Sequence, residues 1–138
     1  MDAQDVQRVT LILPLPSPHL SPNGRGGTRW RSSYVARARD EAVMVAQVAI
    51  YEQRIPLKLL PFPVVVAQET YYWPTKRRRD VRNAEASLKA YYDGFVRAGL
   101  LVDDDIDHLT HLPSRFAYDK EDPRVEVVIT TVAAGGCP

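Results

Sequence analysis

At 138 residues, with 45% hydrophobic and 25% charged composition and a formal net charge of +1, the chain suits one domain with a real core. The total charge names no partner, and Cys137, the single cysteine, excludes an intramolecular disulfide or a cysteine-built zinc site. No apolar run approaches the roughly 20 residues that span a bilayer. The first residues lack a basic and then apolar leader, so a cytoplasmic protein without membrane association is expected.

In chain order, residues 9–13 (Val-Thr-Leu-Ile-Leu) read as a first strand. Pro14, Pro16, Pro18 and Pro22 then hold the backbone extended or turning up to Asn23. Gly24, Gly26 and Gly27 suggest a mobile loop that carries Arg25 and Arg29. Ser32 or Ser33 is a candidate cap for a helix over about 34–53, with Val35, Ala38, Ala42, Val45 and Ala49 inward. Pro56 and Pro61 bracket a connector, and residues 64–73, rich in Val, Thr and Tyr, predict the next strand.

From about 81 to 98 the pattern is helical, because Ala84, Leu88, Tyr91 and Phe95 recur at spacings of four, three and four. Gly99 stands where a left-handed helix terminus favours glycine. The segments 106–118 and 124–132, joined by Asp-Lys-Glu-Asp-Pro, read as a β-hairpin. The expectation is a single α/β (α+β) domain with a mixed sheet and two main helices, its ends at 1–6 and 133–138 disordered.

Charge is segregated along this frame. Between Asn23 and Arg39 lie five arginines (25, 29, 31, 37 and 39) and no acid, and Lys76, Arg77, Arg78 and Arg79 add a second cationic run. Acids gather at Asp103, Asp104, Asp105 and Asp107, and again at Asp119, Glu121 and Asp122. The second cationic run ends on Asp80, and one helix later the chain returns with the aspartate triplet. Cations beside acids suit a phosphate backbone and a hard divalent ion held together.

Each residue also has a plainer reading. Asp80 suits a helix N-cap. Lys89 forms a stripe with Glu85 and Asp93, four residues apart on each side, as in a solvated ion-pair ladder. The alternative for Lys89 is a cation aimed at a scissile phosphate. Asn83 is a candidate phosphate or ligand contact. Trp30, Tyr71, Tyr72 and Trp73 are candidates for base stacking, with core packing favoured for most. His108 and His111, three apart in an expected strand, would face opposite ways and make a poor metal pair, so both are read as structural.

Three pieces together resemble the RusA family of Holliday junction resolvases over about residues 11–128. They are Leu13-Pro14-Leu15-Pro16 with Leu20-Ser21-Pro22-Asn23; Arg78-Arg79-Asp80-x-Arg82-Asn83 with Leu88-Lys89 and Asp93-Gly94; and Ala98-Gly99-Leu100-Leu101-x-Asp103-Asp104. The resemblance implies a small homodimeric endonuclease, of phage or prophage type, cutting four-way DNA junctions with Mg²⁺ or Mn²⁺. In that reading Asp80 and Asp104, with Asp103 next, hold the metal, and Lys89 is the essential lysine. Asn23, Arg25, Arg29, Lys76, Arg77, Arg78, Arg79 and Asn83 contact DNA.

Two departures stand out. Arg82 occupies the position of the family's second aspartate, and the segment from Asn83 to Lys89 is three residues longer than the family pattern. Glu85 or Asp103 would then supply the missing oxygen, or Arg82 would turn away from a two-carboxylate site. A catalytically weak protein that still binds junctions is the alternative.

Overall fold

The computed structural model describes residues 6–20 and 28–132, with backbone only at residues 19 and 28–30. Three strands carry the fold: β1 (Arg8–Leu13), β2 (Val65–Trp73) and β5 (Arg124–Thr131). β5 lies between the other two and is antiparallel to both. On the far side of β2, and parallel to it, lie the short strands β3 (Leu109–His111) and β4 (Arg115–Tyr118). The result is a five-stranded mixed sheet, an α+β architecture of the class expected.

Strand alternation builds one buried face. Val9, Leu11 and Leu13 face the core with Val65, Ala67, Glu69 and Tyr71 and with Val125, Val127 and Ile129. The pairing register places these residues opposite one another, Leu11 against Val127 and Val127 against Glu69. Glu69 is the exception in an otherwise apolar or aromatic row, and it is 2% exposed.

Helix α1 (Thr28–Glu52) begins six residues earlier than the sequence suggests, so Ser32 and Ser33 lie within it rather than at its cap. Its buried stripe is Ala38, Ala42, Ala46 and Ala49, with Val35 and Val45 half-buried beside it. Small residues let α1 approach the second helical segment closely. A Cβ on Gly94 would lie 2.5 Å from both the Ala42 Cβ and the Arg39 carbonyl oxygen.

The second helical segment is divided into α2 (Val81–Ala86) and α3 (Lys89–Arg97). At the division the Leu88 N–H bonds the Glu85 carbonyl, a tighter i→i+3 link. The Ser87 hydroxyl donates to the Asn83 carbonyl, a competition with the helix ladder that bends helices at serine. A Schellman motif ends α3, with Leu100 N–H bonded to Phe95 O, Gly99 N–H to Val96 O, and Gly99 at φ +86°.

The expected hairpin does not form, because β2 lies between β4 and β5. The connection therefore crosses the end of β2, where Asp119 N–H bonds Trp73 O. Arg124 holds the crossing: its guanidinium stacks on Tyr72 at 3.8 Å and bonds Asp119 and Glu126 at 2.8 and 2.7 Å. The acids at 119–122 thus serve a turn. The expected strand 106–118 is also broken: after Leu112 N–H bonds Ala67 O at 2.9 Å, Pro113 and Ser114 leave the ladder before β4 begins. Proline supplies no N–H to a ladder, and the gap faces Glu69 of β2.

Candidate functional site

After Gly99 the chain runs parallel to the approach to β2, with Phe62 N–H bonded to Leu100 O and Val102 N–H to Phe62 O. This path brings the aspartate triplet beside α3. Lys89 Nζ, on the first turn of α3, lies 2.6 Å from Asp104 Oδ2 and 2.9 Å from Asp93 Oδ1. Two residues that the sequence separates by one helix thus form a direct ion pair. The Asp93 contact is the helix ladder; the Asp104 contact is tertiary.

A cleft of about 490 Å³ opens beside this pair, lined by Glu69, Glu85, Lys89, Tyr92, Asp104 and His111 among others. Burial pushes the Asp104 carboxyl up, but its hydrogen bond and charge contact with Lys89 hold it below the ordinary carboxylate range. The same bond, then that to Asp93, raises the Lys89 ammonium above its usual value. Lys89 is therefore a firmly fixed positive charge, 65% exposed, at the edge of an acidic cleft.

The cleft floor is a network that the sequence pattern does not single out. Glu69 Oε2 accepts from the Tyr92 hydroxyl and lies 3.1 Å from His111 Nδ1, while Oε1 accepts from Ser114 Oγ at 3.0 Å. Ser114 Oγ is also 2.7 Å from Glu85 Oε2, tying the floor to α2. Burial pushes the Glu69 carboxyl up, but the bonds from His111, Tyr92 and Ser114 bring it below its usual value. The bond to Glu69 raises His111 in turn, against burial. His108 lies in the turn before β3 rather than in the expected strand, and its Nδ1 pairs with Asp105 at 2.5 Å outside this lining. His111, however, faces the cleft rather than serving only packing.

Of the expected metal acids, Asp104 alone lines the cleft. Asp80 caps α2, its Oδ1 accepting from Arg82 N and Asn83 N at 3.0 and 3.3 Å. Asp103 is exposed and accepts the Asp104 N–H at 2.7 Å. Glu85, the alternative third oxygen donor, lines the cleft, and exposed Arg82 does not. Among the described residues no three His, Cys, Asp or Glu side chains converge as a closed metal cage. Glu85 and Asp104 are nonetheless hard oxygen donors on one cleft, which fits Mg²⁺ or Mn²⁺ bound through few carboxylates with water and substrate phosphate.

The cations divide. Arg79 lies over the Trp73 ring at 4.2 Å and bonds Thr75, and Lys76 lies over Tyr118 at 5.4 Å, so both are engaged within the fold. Arg77 and Arg78 are exposed. Half-buried Asn83 contributes its carbonyl to Ser87. Tyr71 and Trp73 stack at 5.5 Å within an aromatic cluster with Phe116, the packing role favoured for them. Tyr72 lies under Arg124. Asn23 and Arg25, and the side chains of Arg29 and Trp30, lie outside the described residues. No helix among the described residues is long and apolar enough to cross a membrane.

No protein-family model matches the chain. No curated protein sequence matches it either. Among solved structures it is similar to thiamine-monophosphate kinase from Stenotrophomonas maltophilia K279a, at 15% identity and a TM-score of 0.37. That alignment covers 98% of this chain and 34% of the kinase, so the chain spans about a third of the kinase's length. A likeness of that degree carries no functional argument.

Two expected outcomes test this arrangement. Asp80→Ala should cost about 1 kcal/mol through the lost cap, whereas Asp80→Asn should cost little because asparagine caps equally well. Thermal melting of both variants reads the cap, and a large activity loss in Asp80→Asn with unchanged melting would give Asp80 a second role. The second outcome concerns pH. Glu69, lowered on folding, adds stability that is complete above its ordinary value of 4.5 and lost as pH falls through the folded value. His111, raised on folding, adds stability that is complete below its ordinary value of 6.5 and lost as pH rises through the folded value. The wild type should therefore exceed His111→Gln in melting temperature most between about pH 4.5 and 6.5. A pH-independent difference would contradict the pairing.

Proposed function

We propose that the protein is a metal-dependent endodeoxyribonuclease acting on branched DNA, as the RusA resemblance implies, and that it works as a homodimer. The observation that carries the reading is the Lys89–Asp104 pair at 2.6 Å on a cleft lined by Glu85 and Glu69. These are two of the positions on which the resemblance rests, and the pair joins a fixed cation to a hard oxygen donor.

Asp104 with Glu85 would hold Mg²⁺ or Mn²⁺ at the cleft. When bound, such an ion supplies an activated water and neutralises phosphate charge. Lys89 orients a non-bridging phosphate oxygen and stabilises the charge that develops there. Arg77 and Arg78, exposed ahead of Asp80, grip the DNA backbone without reading sequence. Two copies related by a twofold axis would present two such clefts to opposing strands of a four-way junction.

Arg82 favours a second reading, a junction-binding protein without catalysis, because it puts a cation where the family has an acid. Incubation with a synthetic four-way junction and Mg²⁺ or Mn²⁺ separates the two. The nuclease reading expects paired cuts that Asp104→Asn abolishes. Tight, salt-sensitive binding without cutting supports the binder, and neither activity removes both readings.

A further inference from the structure

We propose that His111, held through Nδ1 by the buried Glu69 carboxylate, is the proton donor to the leaving oxygen of the bond cut in this cleft. The inference rests on the phosphodiesterase reading above and adds to it a residue and a step. It starts from an anomaly of the sheet: a carboxylate 2% exposed at an inward position of the central strand. Burying a carboxylate is costly, and a well-packed apolar side chain at such a position is often neutral or more stable. Core packing therefore does not explain Glu69.

What Glu69 achieves is the placement of His111. β3 pairs with β2 so that His111 lies opposite Ala67, on the face that also carries Glu69. The imidazole packs edge-on against the Tyr92 ring at 5.1 Å, and its Nδ1 lies 3.1 Å from Glu69 Oε2. A carboxylate partner places a hydrogen on Nδ1, which leaves Nε2 as the nitrogen that gains and loses a proton. The side chain remains 48% exposed at the cleft, while its partner is sealed beneath. A histidine oriented by a buried acid, with its other nitrogen free, has the form of an acid–base catalyst.

The neighbours decide which direction the proton moves. Facing His111 are Glu69 from β2, Tyr92 and Lys89 from α3, Glu85 from α2 and Asp104 from the following loop. The hydrogen bond to buried Glu69, which takes no part in holding an ion, is the largest contribution in favour of imidazolium. Lys89 is held charged by Asp104 and Asp93 and gives up its proton poorly. Tyr92 is buried, its hydroxyl pushed well above its ordinary value and committed to Glu69. Among the described groups lining the cleft, His111 is the one that can be protonated near neutrality and still release its proton.

The step balances as follows. A lone pair of the attacking water forms the new P–O bond, and that water's proton passes to solvent. The pair of the breaking P–O bond goes to the sugar oxygen, which takes the proton from His111 Nε2. Neutral His111 is then reprotonated from solvent. Glu69 is a positioning residue in this scheme, since it touches His111 and not the substrate.

The test compares two four-way junctions in Mn²⁺, one ordinary and one with sulfur replacing the leaving oxygen at the mapped cut. A thiolate leaves without needing a proton. His111→Gln is expected to cut the ordinary junction about 10²- to 10⁴-fold more slowly than wild type, the usual contribution of general acid catalysis. It should cut the sulfur-bridged junction within a few-fold of wild type. Glu69→Gln should move the alkaline limb of the wild-type pH–rate profile to lower pH, which a merely structural role would not do. Equal slowing of His111→Gln on both linkages, or no slowing on either, overturns the proposal while leaving the nuclease reading intact. A wild type that cuts neither linkage ends both. Melting curves are the control for folding, and His111→Gln is expected to remain folded because its side chain is half-exposed at the end of a short strand.

Discussion

Gly94→Ala is expected to cost about 1–3 kcal/mol of folding stability, the usual range for overpacking a tight core. For a domain of this size that is a fall in melting temperature of about 4–12 °C. A Cβ there would stand 2.5 Å from the Ala42 Cβ and from the Arg39 backbone oxygen, a separation that real Cβ contacts do not show. Neither neighbour can swing aside, because one is a methyl on a helix and the other is main chain. Relief requires α1 and α3 to move apart, and α3 carries Lys89. The variant should therefore also lose part of any cleavage activity, as the Lys89–Asp104 distance grows. Gly99→Ala is the control of opposite kind. It meets nothing within 4 Å, but its φ of +86° penalises a side chain through the backbone. Melting of Gly99→Ala should fall without a matching change in the α1–α3 contact. A shift below about 2 °C for Gly94→Ala would mean the helices pack more loosely than this, given the usual cost of overpacking.

The parts of the fold legible in the sequence are those governed by local periodicity. β1, β2 and β5, the helical stretch from Val81, and Gly99 at φ +86° all follow from alternation, helical spacing or terminus chemistry. What the sequence hides is non-local. The Asp-Lys-Glu-Asp-Pro connection looks like a hairpin turn, yet Arg124 gathers its acids so that the chain steps over β2 instead of reversing beside β4. The break at Pro113 and Ser114 is signalled by Pro113, but its purpose depends on Glu69 lying across from it. For the site, the Lys89–Asp104 meeting is readable from the resemblance, and Asp80 as a cap from its position ahead of α2. Glu69 and His111 are the residues that sequence reasoning misses, although a signal exists. Glu69 shares strand parity with Val65, Ala67 and Tyr71, so the alternation of β2 by itself puts an acid at an inward position. The partner that makes this acid tolerable, His111, lies 42 residues away and is supplied only by the β2–β3 register.

A large effect on activity is also expected at Lys89. Lys89→Met keeps the length of the side chain and removes its charge, and cleavage should fall by about 10²-fold or more, as on loss of a preorganised electrostatic contact. Stability should change by less than about 1 kcal/mol, because the ammonium is exposed and exposed ion pairs contribute little. The asymmetry of the pair sharpens the test, since Lys89 is 65% exposed and Asp104 only 18%. Without Lys89, Asp104 loses the partner that holds its carboxyl low, so its titration should move up toward ordinary carboxylate values or beyond. Carboxyl NMR of Asp104 in wild type and Lys89→Met reads that change without any substrate. If Lys89 and Asp104 act on one phosphate as a unit, Lys89→Met combined with Asp104→Asn should be little worse than the poorer single variant. Effects that simply multiply would mean two independent roles. Lys89→Arg separates charge from geometry: guanidinium keeps the cation but presents a planar fork in place of a compact ammonium. A rate close to wild type in Lys89→Arg would mean that charge suffices. A rate close to that of Lys89→Met would mean that the 2.6 Å placement against Asp104 is what the reaction needs.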